Sequence, residues 1–92
     1  MIQSFRCADT QSLFEGRAVT RFANISVVAT RKLLMLDSAP SLNSLRSPPG
    51  NRLEALRADR TGQHSIRINE QWRVCFVWTN DGPTNVEIVD YH

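Results

Sequence analysis

The stretch WRVCFVWTNDGPTNVEIVDY, residues 72–91, constrains this chain more than any other. Apolar residues alternate on both sides of NDGPT, and Asp81-Gly82-Pro83 at its centre prevents either run from continuing. That is the pattern of two strands joined by a turn. Two more period-two runs precede it: RLEAL, then HSIRI, with ADRTGQ turning around Gly62 between them and NEQ leading into the third strand. Upstream the period changes. NISVVATRKLLMLDSAP sets Ile25, Val28, Ala29, Leu33 and Leu36 on one buried helix face, with Asn24 as cap, Arg31 and Lys32 on the solvated side and Pro40 as terminator. DTQSLFEG reads as a shorter helix, capped by Asp9 or by Ser12 in a Ser12–Glu15 capping box, and stopped by Gly16. IQSF at the start reads as a short edge strand, and SLNSLRSPPGN as a loop, because Pro48, Pro49 and Gly50 suit neither helix nor central strand. Helices followed by strands joined through tight turns predict an α+β fold. Two N-terminal helices pack on one face of a small, mainly antiparallel sheet, and the other face is left for function.

A chain of 92 residues suits one domain, residues 1–92, with one small core. The hydrophobic share of 41% excludes a disordered chain. No run approaches the roughly 18 apolar residues of a membrane span, and MIQSFRCADT lacks the apolar core of a signal peptide. A cytoplasmic protein with no membrane partner is the expectation. Cys7 and Cys75 then stay reduced and act as small apolar fillers. With only His64 and His92 beside them, no zinc site is expected, nor any other cofactor.

Ten of the eleven basic residues are arginine, Lys32 being the exception. Arginine presents a planar fork that matches phosphate and stacks on bases, although a GC-rich codon bias gives the same composition. Strand parity adds position to the argument. Trp72, Val74, Phe76 and Trp78 share the core face, leaving Arg73, Cys75 and Val77 opposite; Ile66 and Ile68 leave Arg67 opposite. Arg57 ends the first strand, close to Arg60. Arg57, Arg67 and Arg73 are therefore expected to converge on the open face, either as a footprint for a phosphate-rich ligand or as a solvated surface balanced by Glu54, Asp59 and Glu70. In the last strand strict parity puts Asp90 and His92 with Val86 and Ile88, and Glu87, Val89 and Tyr91 with the arginines, unless a bulge intervenes. Metal-free RNA cleavage needs a base for the 2′-hydroxyl, an acid for the leaving oxygen and cations for the phosphate. Histidine, tyrosine and arginine can fill those roles.

MIQSF, LRSPPGNRLEAL, GQHSIRINEQWRVCF and the closing VEIVDYH together resemble the HigB-type toxins of bacterial type II toxin–antitoxin modules, a branch of the RelE/ParE superfamily. The resemblance covers nearly the whole chain and implies a RelE-like fold. It further implies a metal-independent endonuclease that cuts mRNA in the ribosome and inhibits translation. A HigA-type helix-turn-helix antitoxin would neutralise it and would alone contact operator DNA. On this resemblance His92 and Tyr91 transfer protons or orient the nucleophile, and Asp90 assists or positions them. Arg73 stabilises the phosphate, while Arg57, Arg60 and Arg67 bind RNA. A tail beyond His92 would obstruct the cleft. The chain departs from some active members at Glu54, where they carry a histidine; a carboxylate there implies slower cleavage. That departure keeps a second class open: a binding-only growth inhibitor, either ParE-like and directed at gyrase or an attenuated toxin.

Overall fold

The structure, a computed structural model, describes residues 1–90; Tyr91 and His92 lie outside the described residues. Its elements are α1 (Ala8–Phe14), α2 (Ser26–Ser38), β1 (Glu54–Ala55), β2 (His64–Arg67), β3 (Trp72–Thr79) and β4 (Gly82–Asp90), with short 3-10 turns between them. The strands form one antiparallel sheet in the order β1-β2-β3-β4. Both helices lie against one face of it and bury Leu13, Ala29, Leu33 and Leu36 over Ile66, Val74, Phe76, Val86 and Ile88. The α+β architecture follows directly from the two hydrophobic periods.

The helix details differ from the expectation. α1 starts at Ala8 after Cys7, without a side-chain cap; Ser12 lies inside the helix and Glu15 beyond its end, so no capping box forms. The anchor is instead Thr10, fully buried, whose Oγ1 accepts the Ile88 amide at 3.0 Å. Asn24 does not cap α2, which starts after Ile25. The buried stripe of α2 is narrower than expected: Ile25, Ala29, Leu33 and Leu36 are covered, but Val28 is exposed, since a helix laid on a sheet hides little more than one row of side chains.

Lys32 does not stand in solvent either. Its Nζ donates to Asn51 Oδ1 at 2.6 Å. Asn51 is fully buried, and its Nδ2 reaches the Leu45 carbonyl and Met35 Sδ, both at 3.1 Å. One amide thus ties the Pro-Pro-Gly loop to α2. Immediately after it Arg52 takes a left-handed conformation, φ 46°, which cuts the first strand to two residues where RLEAL suggested five.

The outer edge of β4 is covered by the N-terminal segment. The Gln3 amide reaches the Pro83 carbonyl at 2.8 Å, that of Val86 the Ser4 carbonyl at 3.1 Å, and that of Arg6 the Val86 carbonyl at 3.0 Å. IQSF therefore supplies edge pairing, with Phe5 and Val86 as a parallel bridge rather than a full strand. This protects an edge that would otherwise recruit other chains. The contact falls where the β3–β4 register shifts around left-handed Asn85, φ 52°. Gly82 at the hairpin has φ +125°, and a Cβ there would sit 2.4 Å from the Met1 carbonyl oxygen, so only glycine fits.

Asn51→Ala leaves the Leu45 carbonyl and the Lys32 ammonium without their partner. We expect a loss of about 2 kcal/mol in urea denaturation; an unchanged midpoint would mean that the amide is not the anchor of this loop.

Candidate functional site on the helix-free sheet face

The face turned away from the helices carries two rows in register. Glu54, Ser65, Cys75 and Glu87 face one another across the four strands, and Arg67, Arg73 and Val89 form the next row. The expectation that this face is simply open needs correction. Ser65 and Cys75 are fully buried, and Arg73 retains only 8% of its exposure. The chain from β1 to β2 folds back over the first row: Arg60 Nη1 bonds Glu87 Oε1 at 2.9 Å and Gln63 Oε1 at 3.1 Å. Arg6 Nε also lies 3.9 Å from the same Glu87 oxygen.

A guanidinium this deep must be compensated. Arg73 Nε donates to Ser65 Oγ at 2.7 Å, and its Nη2 donates to the Arg52 carbonyl at 2.7 Å and the Ser65 carbonyl at 3.4 Å. The Glu54 carboxylate, about half exposed, lies 3.8 Å from Nε. These bonds fix the plane of the fork, so the cation needs little reorganisation to meet charge developing nearby.

Arg67 and Arg73 share this face, as parity predicted, and are direct cross-strand partners. Arg57 does not join them. The Leu56 amide bonds the Gln63 carbonyl, so Arg57 follows the end of β1 next to the start of β2, whereas Arg67 closes the far end of β2. Arg60 is a strut across the face; the hydrogen bond to Glu87 raises its pKa above the usual arginine value, with burial opposing. Asp90 lies opposite Trp72, exposed at the strand's end, and accepts Gln71 Nε2 at 3.0 Å. The candidates Tyr91 and His92 fall outside the described residues.

Ser65 and Arg52 were missed in the sequence. The alternation in HSIRI was a usable signal for Ser65, because it put a small hydroxyl on the same face as Arg67. Among the described residues no group of three His, Cys, Asp or Glu is placed to hold a metal ion. No helix among them is long and apolar enough to cross a membrane.

A family model described as the RelE-like toxin of the type II toxin–antitoxin system HigB matches residues 5–92. The chain belongs to the HigB-like toxins. It is 45% identical over 62 residues to Toxin HigB-1 of Vibrio cholerae serotype O1, a stretch covering 67% of this chain and 64% of that protein. It is also 38% identical over 64 residues to an uncharacterized protein of Haemophilus influenzae, covering 70% of this chain and 63% of that one. The matched stretch thus spans just under two thirds of each relative. In fold the HigB-like chain is similar to the crystal structure of YafQ from E. coli strain BL21(DE3), with a TM-score of 0.65 and 11% identity across 99% of this chain and 92% of that one.

Burial pushes the Cys75 thiol up, against an opposing pull from Arg60. The reactive thiolate is therefore scarcer than for an ordinary cysteine at neutral pH and grows only as pH rises. Cys7 is partly exposed. Iodoacetamide at neutral pH should label Cys7 in the native protein and Cys75 only after unfolding, read by peptide mass spectrometry; rapid native labelling of Cys75 would contradict this packing.

Proposed function

We propose that this HigB-like toxin is a metal-independent endoribonuclease that cuts mRNA in the ribosome, in the cytoplasm, and is held inactive by a HigA-type helix-turn-helix antitoxin. The observation that carries the reading is the pinned Arg73 guanidinium with Glu54 3.8 Å away and Arg67 across the strand. Phosphoryl transfer from a 2′-hydroxyl develops negative charge on the scissile phosphate, and a fork already oriented stabilises it. In this reading Arg73 contacts the phosphate and Arg67 steers the backbone. Arg57 and Arg60, away from that pair, play at most a general electrostatic part. Asp90, Tyr91 and His92 supply proton transfer and alignment, with the imidazole as the group suited to acid–base work near neutral pH. So few groups suffice only if the ribosome holds the mRNA in an extended, aligned path.

Glu54 tempers the rate. Its carboxylate stands where a cation or a neutral acid would serve the leaving group better, and it offsets part of the Arg73 charge.

The test is 5′-end mapping of a reporter mRNA in a purified translation system. Wild-type protein should create new ends only when ribosomes are present, and His92→Ala should abolish them. Growth inhibition in cells without new ends would defeat the nuclease reading. Glu54→His should raise the cleavage rate several-fold, and an unchanged rate would show that Glu54 is not what limits it.

A further inference from the structure

We propose that Arg6 is a second anchor for the RNA backbone, holding a phosphate a few nucleotides away from the one at Arg73; the proposal rests on the endoribonuclease reading above. Strand register puts Glu87 on the helix-free face, opposite Cys75 and one row from Arg73. Arg6 Nε lies 3.9 Å from Glu87 Oε1, which brings this guanidinium to the same face. It reaches there from the N-terminal segment that covers the outer edge of β4.

Glu87 does not satisfy Arg6. Its Oε1 already accepts from Arg60 Nη1 at 2.9 Å, and Arg60 lies within the field of Asp59 as well. At 3.9 Å Arg6 is too far for a hydrogen bond, and its guanidinium makes none among the described residues. Its side chain keeps 59% of its exposure, against 35% for Arg60. An ion pair this long and this wet contributes little to folding. Yet the root of the side chain is fixed. The Arg6 amide donates to the Val86 carbonyl at 3.0 Å, and Phe5 before it packs on Phe14 with ring centroids 5.5 Å apart. The result is a cation held over the face by one carboxylate, with its fork of donors open to a phosphate.

The placement suits a strand of RNA that crosses the sheet. Arg67 stands beside Arg73 on the β2 side. Arg6 stands on the other side of Arg73, beyond β4. With strands about 4.8 Å apart and successive residues about 3.3 Å apart, the backbone positions of Arg6 and Arg73 are about 12 Å from each other. That is the reach of a few nucleotides in an extended strand. Arg73 then holds the central phosphate, with a cation on either side.

The experiment measures binding of the full chain to a fluorescent 2′-O-methyl oligoribonucleotide, which lacks the attacking hydroxyl and stays intact, at a series of salt concentrations. Each phosphate contact on a single strand adds about 0.7 to the slope of log affinity against log salt. Arg6→Gln should lower that slope by about 0.7 and weaken binding several-fold at low salt, with the melting temperature unchanged. Arg6→Lys should recover most of the slope, because it keeps the charge. Arg31→Gln removes the same charge from an exposed position on α2 and should leave the slope as it is. No binding by the wild-type chain, an unchanged slope in Arg6→Gln, or an equal loss in Arg31→Gln would overturn the proposal. So would a lowered melting temperature in Arg6→Gln, which would make Arg6 part of the fold. The 5′-end mapping decides the nuclease reading separately. Ends that need ribosomes together with an unchanged slope keep the nuclease and remove Arg6 from it. A lowered slope without such ends keeps the phosphate contact and removes the nuclease.

Discussion

The central strand β3 is buried on both faces, and the rest of the molecule is arranged around that fact. Val74 and Phe76 face the helices, Arg73 and Cys75 face the other way, and all four are covered. A sheet of four strands in a small chain normally leaves one face to water. Covering both faces puts a guanidinium into the interior and obliges the chain to surround it with acceptors. The left-handed turn at Arg52 and the hydroxyl of Ser65 meet that obligation. The Lys32–Asn51 bond holds the loop from which Arg52 departs. The loop and α2 therefore belong to the site as much as to the fold.

The same economy explains the charge pattern. Ten arginines on a chain of modest net charge invite the idea of a continuous cationic surface. Several are instead committed within the protein: Arg60 to Glu87, Arg73 to Ser65 and the Arg52 carbonyl, Arg17 to Glu15. A planar fork with five donors can bridge elements in a way that a lysine cannot. Arginine content alone is thus a poor measure of nucleic-acid affinity, and the cations that matter are those brought beside the carboxylate by register.

Much of the fold was legible because two hydrophobic periods are visible without ambiguity: 3.6 over residues 25–36 and 2 over residues 64–78. Strand parity correctly put Arg67 and Arg73 on one face, since register carries a face assignment from one strand to the next. What could not be read depends on single backbone conformations. Arg52 at φ 46° and Ala58 at φ 58° break the run around RLEAL, and neither is a glycine that would have announced the break. That shortening removed Arg57 from the cluster. Likewise, nothing in the helical period distinguishes a lysine in water from one that reaches back to a buried asparagine. Parity also says which face a residue takes but not whether a loop later covers that face.

Glu54 is the more exposed partner of the buried Arg73 guanidinium. It stands on a two-residue edge strand with its carboxylate half exposed, 3.8 Å from Arg73. At that distance its contact with Nε is electrostatic, too long for a hydrogen bond. It still balances part of the Arg73 charge, and its exposure lets water screen the rest. On this view the edge carboxylate trims the charge of a cation that the fold cannot move, so a change at residue 54 acts on the site through electrostatics and leaves the fold as it is.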